Sequence, residues 1–188
     1  MPEPEKTKSL QGQLLLDGGN LSGSWFHRSV VLICQHNEEG AFGLVLNRPS
    51  GATVGDAVVA DLPDILRQMP LQIGGPVQPG ALSYLLGDAF LPSGSVMPNV
   101  ELGHSLDQLI ELAGDFSPTR KLLVFAGYAG WSPGQLDDEI RRDAWLIQPA
   151  TPEIIFDAEP AGLWRRILRG LGGRYRLLSE SPDDMASN

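Results

Sequence analysis

The sequence predicts a mixed α+β domain, and two observations carry that prediction. In the first half, an apolar β-branched run at residues 29–35 and a second run at 42–47 are joined by residues 36–41, a connection with the Gly of a hairpin loop. In the second half, strand and helix patterns alternate: an apolar strand at 121–126, a helix start at 132–135, a strand at 144–148 and an amphipathic helix at 161–169. Alternation confined to one half argues against a doubly wound parallel sheet.

The elements follow in order. Residues 1–9 and 179–188 have too few apolar residues to offset their ordering entropy and are expected as disordered tails, leaving one domain over 10–178. Leu14-Leu15-Leu16 reads as a short strand closed by the turn residues Asp17-Gly18-Gly19-Asn20. Residues 29–35 are apolar on both faces, the mark of a central strand, and Phe42 to Asn47 pairs with it until Arg48-Pro49 ends the run. Thr53 to Asp56 opens a weak helix stopped near Pro63, Leu71 to Ile73 and Ser83 to Leu86 are short strands, and 87–103 is loop-rich. Ser105 with Gln108 forms a capping box for a helix that buries Leu106, Leu109 and Ile110 and ends at Gly114. After the strand at 121–126 comes the Gly-rich stretch 127–135, where Ser132, Pro133 and Gln135 spell a second capping box. The helix beyond it pairs Asp137 with Arg141 and Asp138 with Arg142 outward and turns Leu136 and Ile140 inward. Thr151-Pro152 starts a short turn through Phe156, and a C-terminal helix runs from Ala161 to Arg169.

Composition narrows the functional classes. The 188 residues carry 14 Lys+Arg against 23 Asp+Glu, a net charge of −9, and 42% are hydrophobic. One Cys permits no intrachain disulfide, which suits a reducing compartment. No apolar run approaches the ~18 residues of a membrane span, and the polar N-terminus lacks the apolar stretch of a signal peptide. The expectation is a cytoplasmic chain without a membrane partner.

Three motifs occur together: Arg28-Ser-Val-Val-Leu-Ile-Cys-Gln-His36 running on to Phe42-Gly-Leu-Val-Leu-Asn-Arg-Pro49; Gly74-Gly75-Pro76-Val77; and Gly127-Tyr128-Ala129-Gly130-Trp131-Ser132-Pro133-Gly134-Gln135-Leu136 with Glu139 one turn on. Together they resemble the YqgE/AlgH family of bacterial proteins over residues 10–172. The resemblance implies a mostly antiparallel sheet that bends and bifurcates into a pseudo-barrel with helices packed outside. It implies little chemistry; the family is labelled a set of regulators, one member being named for alginate synthesis. The segment Asp17 to Ser24 departs from the family's Pro-containing turn, and Ser83 to Gly87 lacks the His that often ends that strand.

Candidate chemistry falls into four groups. Cys34 and His36, two apart on a strand, project from one face, as a thiol activated by an imidazole requires; the competing reading puts Cys34 in the core behind Val30 and Leu32. His27, His36, His104 and Cys34 suffice for zinc in number alone, but no pair has zinc spacing, so no metal and no cofactor is expected. Arg165, Arg166, Arg169, Arg174 and Arg176 make a basic C-terminal face, yet the overall charge and the lack of a helix-turn-helix pattern disfavour direct nucleic-acid binding. Finally, Asn37, Glu39, Asn47, Arg48, Gln135 and Glu139 lie beside Gly-rich turns, with Tyr128 and Trp131 as apolar walls: either one shared binding site or braces for those turns. The leading function is a binding or regulatory protein acting through protein or small-molecule contacts, with no residue assigned a catalytic role. The rivals are a hydrolase or thiol-dependent enzyme using Cys34 and His36, and a DNA-binding regulator.

Overall fold

Strand β2 (Val30–Asn37) sits between β1 (Gln13–Leu16) and β3 (Gly40–Val45), antiparallel to both, because its apolar residues point alternately to two cores. Val30, Leu32 and Cys34 enter one core with Leu44, Phe125 and Trp164; Val31 and Ile33 enter the other with Val45, Trp131 and Leu136. The computed structural model describes residues 8–115 and 117–183. The hairpin is tighter than the expected loop 36–41: β2 ends at Asn37 and β3 begins at Gly40.

The remaining strands are β4 (Pro49–Thr53), β5 (Pro70–Ile73), β6 (Val77–Gly87), β7 (Val100–Gly103), β8 (Lys121–Trp131) and β9 (Leu146–Pro149). One path of the sheet runs β4-β5-β8-β3-β2-β1-β9, and β6 with β7 branches from β8. The bifurcation lies in β8. Its first half pairs with β5 in parallel and with β6 antiparallel, while Ala129 to Trp131 pair with β3. Gly127, at φ 73°, bends the strand between these halves. The Gly-Gly-Pro-Val motif crosses β8 at this bend. Gly74 donates its N–H to the Ala126 carbonyl and accepts from the Val45 N–H, and a Cβ on Gly75 would run into the Tyr128 backbone. The fold is α+β with a bifurcated, mostly antiparallel sheet, as expected; the sheet has nine strands and among the described residues is not closed into a barrel.

Among the described residues seven α-helices pack outside: α1 (Val54–Ala57), α2 (Asp64–Arg67), α3 (Leu106–Gly114), α4 (Gln135–Arg141), α5 (Pro152–Ile155), α6 (Leu163–Leu171) and α7 (Gly173–Glu180). Ser105 caps α3 by accepting from the Gln108 N–H at 3.3 Å. The second capping box forms only in part. Gln135 accepts from the Ser132 N–H at 3.0 Å, but Gly134, at φ 76°, delays the helix past Ser132 and Pro133. The expected Asp137–Arg141 and Asp138–Arg142 pairs are replaced: Asp138 meets Arg141, and Asp137 meets His36. α6 continues through Gly170, where the helix was expected to end, and α7 runs on to Glu180, two residues into the expected tail 179–188. Its Ser179 is buried, and Asp183 ion-pairs with Arg28 and Arg165. The outer parts of the expected tails, residues 1–7 and 184–188, lie outside the described residues. No described helix is long and apolar enough to cross a membrane.

Candidate functional site

Cys34 is fully buried, and burial pushes its thiol far above the ordinary value. The thiol–imidazole pair that the rival reading requires of Cys34 and His36 does not form, and a β-bulge is the reason. The register of β2 against β3 passes from Ile33 opposite Gly43 to Gln35 opposite Phe42, so Cys34 is an extra residue and the alternation reverses beyond it. Cys34 stays in the core with Leu32 and Leu44, whereas His36 turns to the opposite face. There its Nδ1 accepts from the Leu10 N–H at 3.0 Å and its Nε2 lies 3.4 Å from Asp137 Oδ1. The imidazole ties the start of the chain and α4 to the hairpin.

Five of the predicted site residues gather at this end of the sheet. Asn37 accepts from the Glu39 N–H at 2.8 Å and sets the hairpin turn, and Glu39 is exposed on it. Ala41 stands opposite Trp131, which brings in Trp131, Gln135 and Glu139. Glu139 Oε2 accepts from the indole N–H of Trp131 at 2.9 Å and of Trp145 at 2.8 Å, and its Oε1 accepts from the Gln135 amide at 3.0 Å. One carboxylate thus satisfies two indoles of a buried aromatic cluster completed by Phe26.

Asn47 and Arg48 lie at the far end of β3, roughly 20 Å away at the ordinary strand rise. Asn47 stitches β3 to the start of β2: its amide oxygen takes the Val30 N–H at 2.9 Å and its amide nitrogen donates to the Arg28 carbonyl at 2.8 Å. Arg48 lies over the Trp25 ring at 3.8 Å and donates to the Trp25 and His27 carbonyls, while burial lowers its pKa. Tyr128 belongs to neither group. It stacks on Phe42 at 4.9 Å on the Cys34 face, opposite to Trp131. The single shared site expected from these eight residues is therefore divided among two ends and two faces.

The other expectations also resolve into separate places. His27 meets Asp17, His36 meets Asp137, and His104 Nδ1 lies 3.1 Å from Ser83 Oγ; among the described residues no three metal-binding side chains gather. Of the basic C-terminal face, Arg165 holds Asp183, Arg166 holds Asp157 and Glu159, and Arg176 holds Glu180. Arg174 lies over the Tyr175 ring. Arg165, Arg166 and Arg176 are thus paired with carboxylates of the chain itself.

A recess of about 290 Å³ lies elsewhere, between the β6–β7 hairpin and α3. The in-register pairs Tyr84–Gly103 and Leu86–Glu101 share the face on which α3 packs through Leu109. Tyr84, 4% exposed, forms the floor, and its hydroxyl donates to Gln108 Oε1 at 3.4 Å. Its ring lies where a side chain at residue 103 would stand, so only Gly fits there. Glu101, Glu111 and Asp115 line the recess with Leu86 and Leu112. Sequence reasoning missed this site because β7 fell in the stretch read as loop. The one available signal was the Ser105–Gln108 box, which fixes the phase of α3 and hence the face carrying Gln108, Glu111 and Leu112.

Comparison with known proteins places this geometry in context. A family model described as AlgH-like matches residues 14–176. A UPF0301 protein of Chlorobium chlorochromatii is 38% identical, with 95% of each chain covered, and one of Streptomyces coelicolor is 36% identical, with 97% of each covered. The solution structure of the AlgH protein from Pseudomonas aeruginosa is similar at a TM-score of 0.72 and 31% identity, covering 97% of this chain and 99% of that one. A crystal structure of a Corynebacterium diphtheriae protein shares the fold at a TM-score of 0.74 and 24% identity, covering 95% of each chain.

Proposed function

Because the chain belongs to the AlgH-like family and its motif residues are engaged in bracing the sheet, we propose that it is a binding protein whose contact site is the recess between β6–β7 and α3. The observation that carries this reading is the recess itself. A buried tyrosine floor, apolar walls and a few convergent polar groups are the ordinary make-up of a small-ligand site. The elements around it are rigid: Tyr84 packs with Leu109 and Val124 in a core of its own, so the floor is held before anything binds. The same reading makes the protein a cytoplasmic regulator that acts by occupancy, since a ligand seated on α3 and β7 bridges two elements of the branch.

A thermal-shift screen of small molecules, run beside a pull-down, tests this. Gln108→Trp on the exposed face of α3 fills the mouth of the recess and removes only the acceptor of the Tyr84 hydroxyl. A ligand or partner that stabilises the native chain and is lost in Gln108→Trp supports the proposal. One that is indifferent to Gln108→Trp and lost on changing Glu39 or Gln135 overturns it and returns the site to the hairpin end.

A further inference from the structure

Away from the recess, at the hairpin end of the sheet, we propose that His36 is an acid-released latch on residues 8–12, which strap the edge of β2. β1 pairs with β2 only over Val30 to Leu32, and the strap continues along the same edge beyond it. Gly12 donates its N–H to the Ile33 carbonyl at 2.8 Å, the Ser9 hydroxyl donates to the His36 carbonyl at 2.9 Å, and the Leu10 N–H donates to His36 Nδ1 at 3.0 Å. Leu10 packs against the core of Ile33, Trp131 and Leu136, so the strap covers apolar surface as well as backbone.

The latch responds to protonation because both ring nitrogens are committed and the side chain is only 6% exposed. Accepting from Leu10 requires a bare Nδ1, so the neutral ring carries its proton on Nε2, 3.4 Å from Asp137 Oδ1. That oxygen is buried and makes no hydrogen bond among the described residues. A second proton turns Nδ1 into a donor facing the Leu10 N–H, which breaks that bond, while the imidazolium gains a counter-charge in Asp137. Acid thus moves the hold of the ring from the strap to α4. Asp137 is the carboxylate that meets the ring; on the same helix Asp138 is held by Arg141 and Glu139 by the two indoles, and Lys8, Glu38 and Glu39 are exposed. The next residues are anchored without a titrating group. The Gln11 amide donates to the Ser95 and Val96 carbonyls at 2.9 and 3.2 Å, and Gly12, at φ 77°, is the pivot. Release is therefore confined to residues 8–10 and uncovers the His36 carbonyl and the apolar ground beneath Leu10.

Hydrogen exchange of the full chain, followed by NMR beside the ring nitrogen resonances of His36, tests the latch. As pH falls from about 7.5 to about 5, the interval in which histidine titrates, the protection factor of the Leu10 amide should drop by about tenfold or more, in step with protonation of the ring. The Val31 and Leu32 amides of β2 should keep theirs. His36→Asn places a carbonyl acceptor near the position of Nδ1 and does not titrate, so its Leu10 amide should stay protected over the whole interval. In Asp137→Asn the imidazolium loses its counter-charge, and release should need lower pH. Leu10 protection that holds while the His36 ring titrates, or a ring that stays neutral throughout, would overturn the proposal. So would a loss that His36→Asn shares, which would place the titrating group elsewhere, or one that Val31 and Leu32 share, which would make it acid unfolding.

Discussion

Removing the Glu139 carboxylate is the perturbation that asks most sharply whether the third motif braces the fold. Its Oε2 holds two indole N–H groups at 2.9 and 2.8 Å, and its Oε1 holds the Gln135 amide at 3.0 Å. Trp131 and Trp145 are each 7% exposed, so Glu139→Ala leaves two buried donors without an acceptor. Each costs about 1–3 kcal/mol, and with Glu139 itself only half-buried, water recovers part of the loss, which puts the sum near ~3 kcal/mol. For a chain of this size that lowers the melting temperature by roughly 6–12 °C. Glu139→Gln keeps one acceptor and loses less than half as much. The assay is urea unfolding followed by tryptophan fluorescence, together with the indole N–H resonances of the two residues. A loss below ~1 kcal/mol, or indole resonances that do not move in Glu139→Ala, would refute the reasoning.

Three further outcomes are expected. Gly75→Ala places a Cβ against the Tyr128 backbone, so it should abolish soluble expression; a folded variant with an unchanged melting temperature would contradict the crossing at β8. Folding holds a proton on the Cys34 thiol that the unfolded chain releases near pH 8.5, so this group's contribution is intact below that pH. Above about pH 9 stability should fall by about 1.4 kcal/mol per pH unit, a slope missing in Cys34→Ala, and native Cys34 should resist thiol reagents at pH 8. Asn47→Ala leaves the Val30 N–H and the Arg28 carbonyl unpaired and should cost about 2–3 kcal/mol in denaturant melts, with the full cost appearing even when ligand is absent.

Where local chemistry decides structure, the sequence was readable. The apolar run at 30–34 became the central strand because both faces of the sheet are covered, and Ser105 caps α3 through a bond that needs no tertiary partner. Long-range geometry was hidden. The bulge at Cys34 depends on how β2 meets β3, and no residue type marks it, so His36 was assigned to the wrong face. β8 outran its apolar segment because, beyond Ala126, Tyr128 pairs with Val77 of β6 and Ala129 to Trp131 pair with β3. The recess was hidden for a related reason. Tyr84, Glu101 and Glu111 come from three elements, and one of those, β7, is a strand only because β6 lies beside it.

The central claim is that the motif residues build the sheet while binding occurs at the recess. Amide chemical-shift mapping of the ¹⁵N-labelled chain during titration with a ligand found in the thermal-shift screen tests it most directly. The account predicts shifts centred on Tyr84, Leu102, Gly103, Gln108 and Glu111, with Asn37, Glu39, Asn47 and Gln135 unmoved. Shifts centred instead on the hairpin at 37–40 and on residues 131–139 would contradict it.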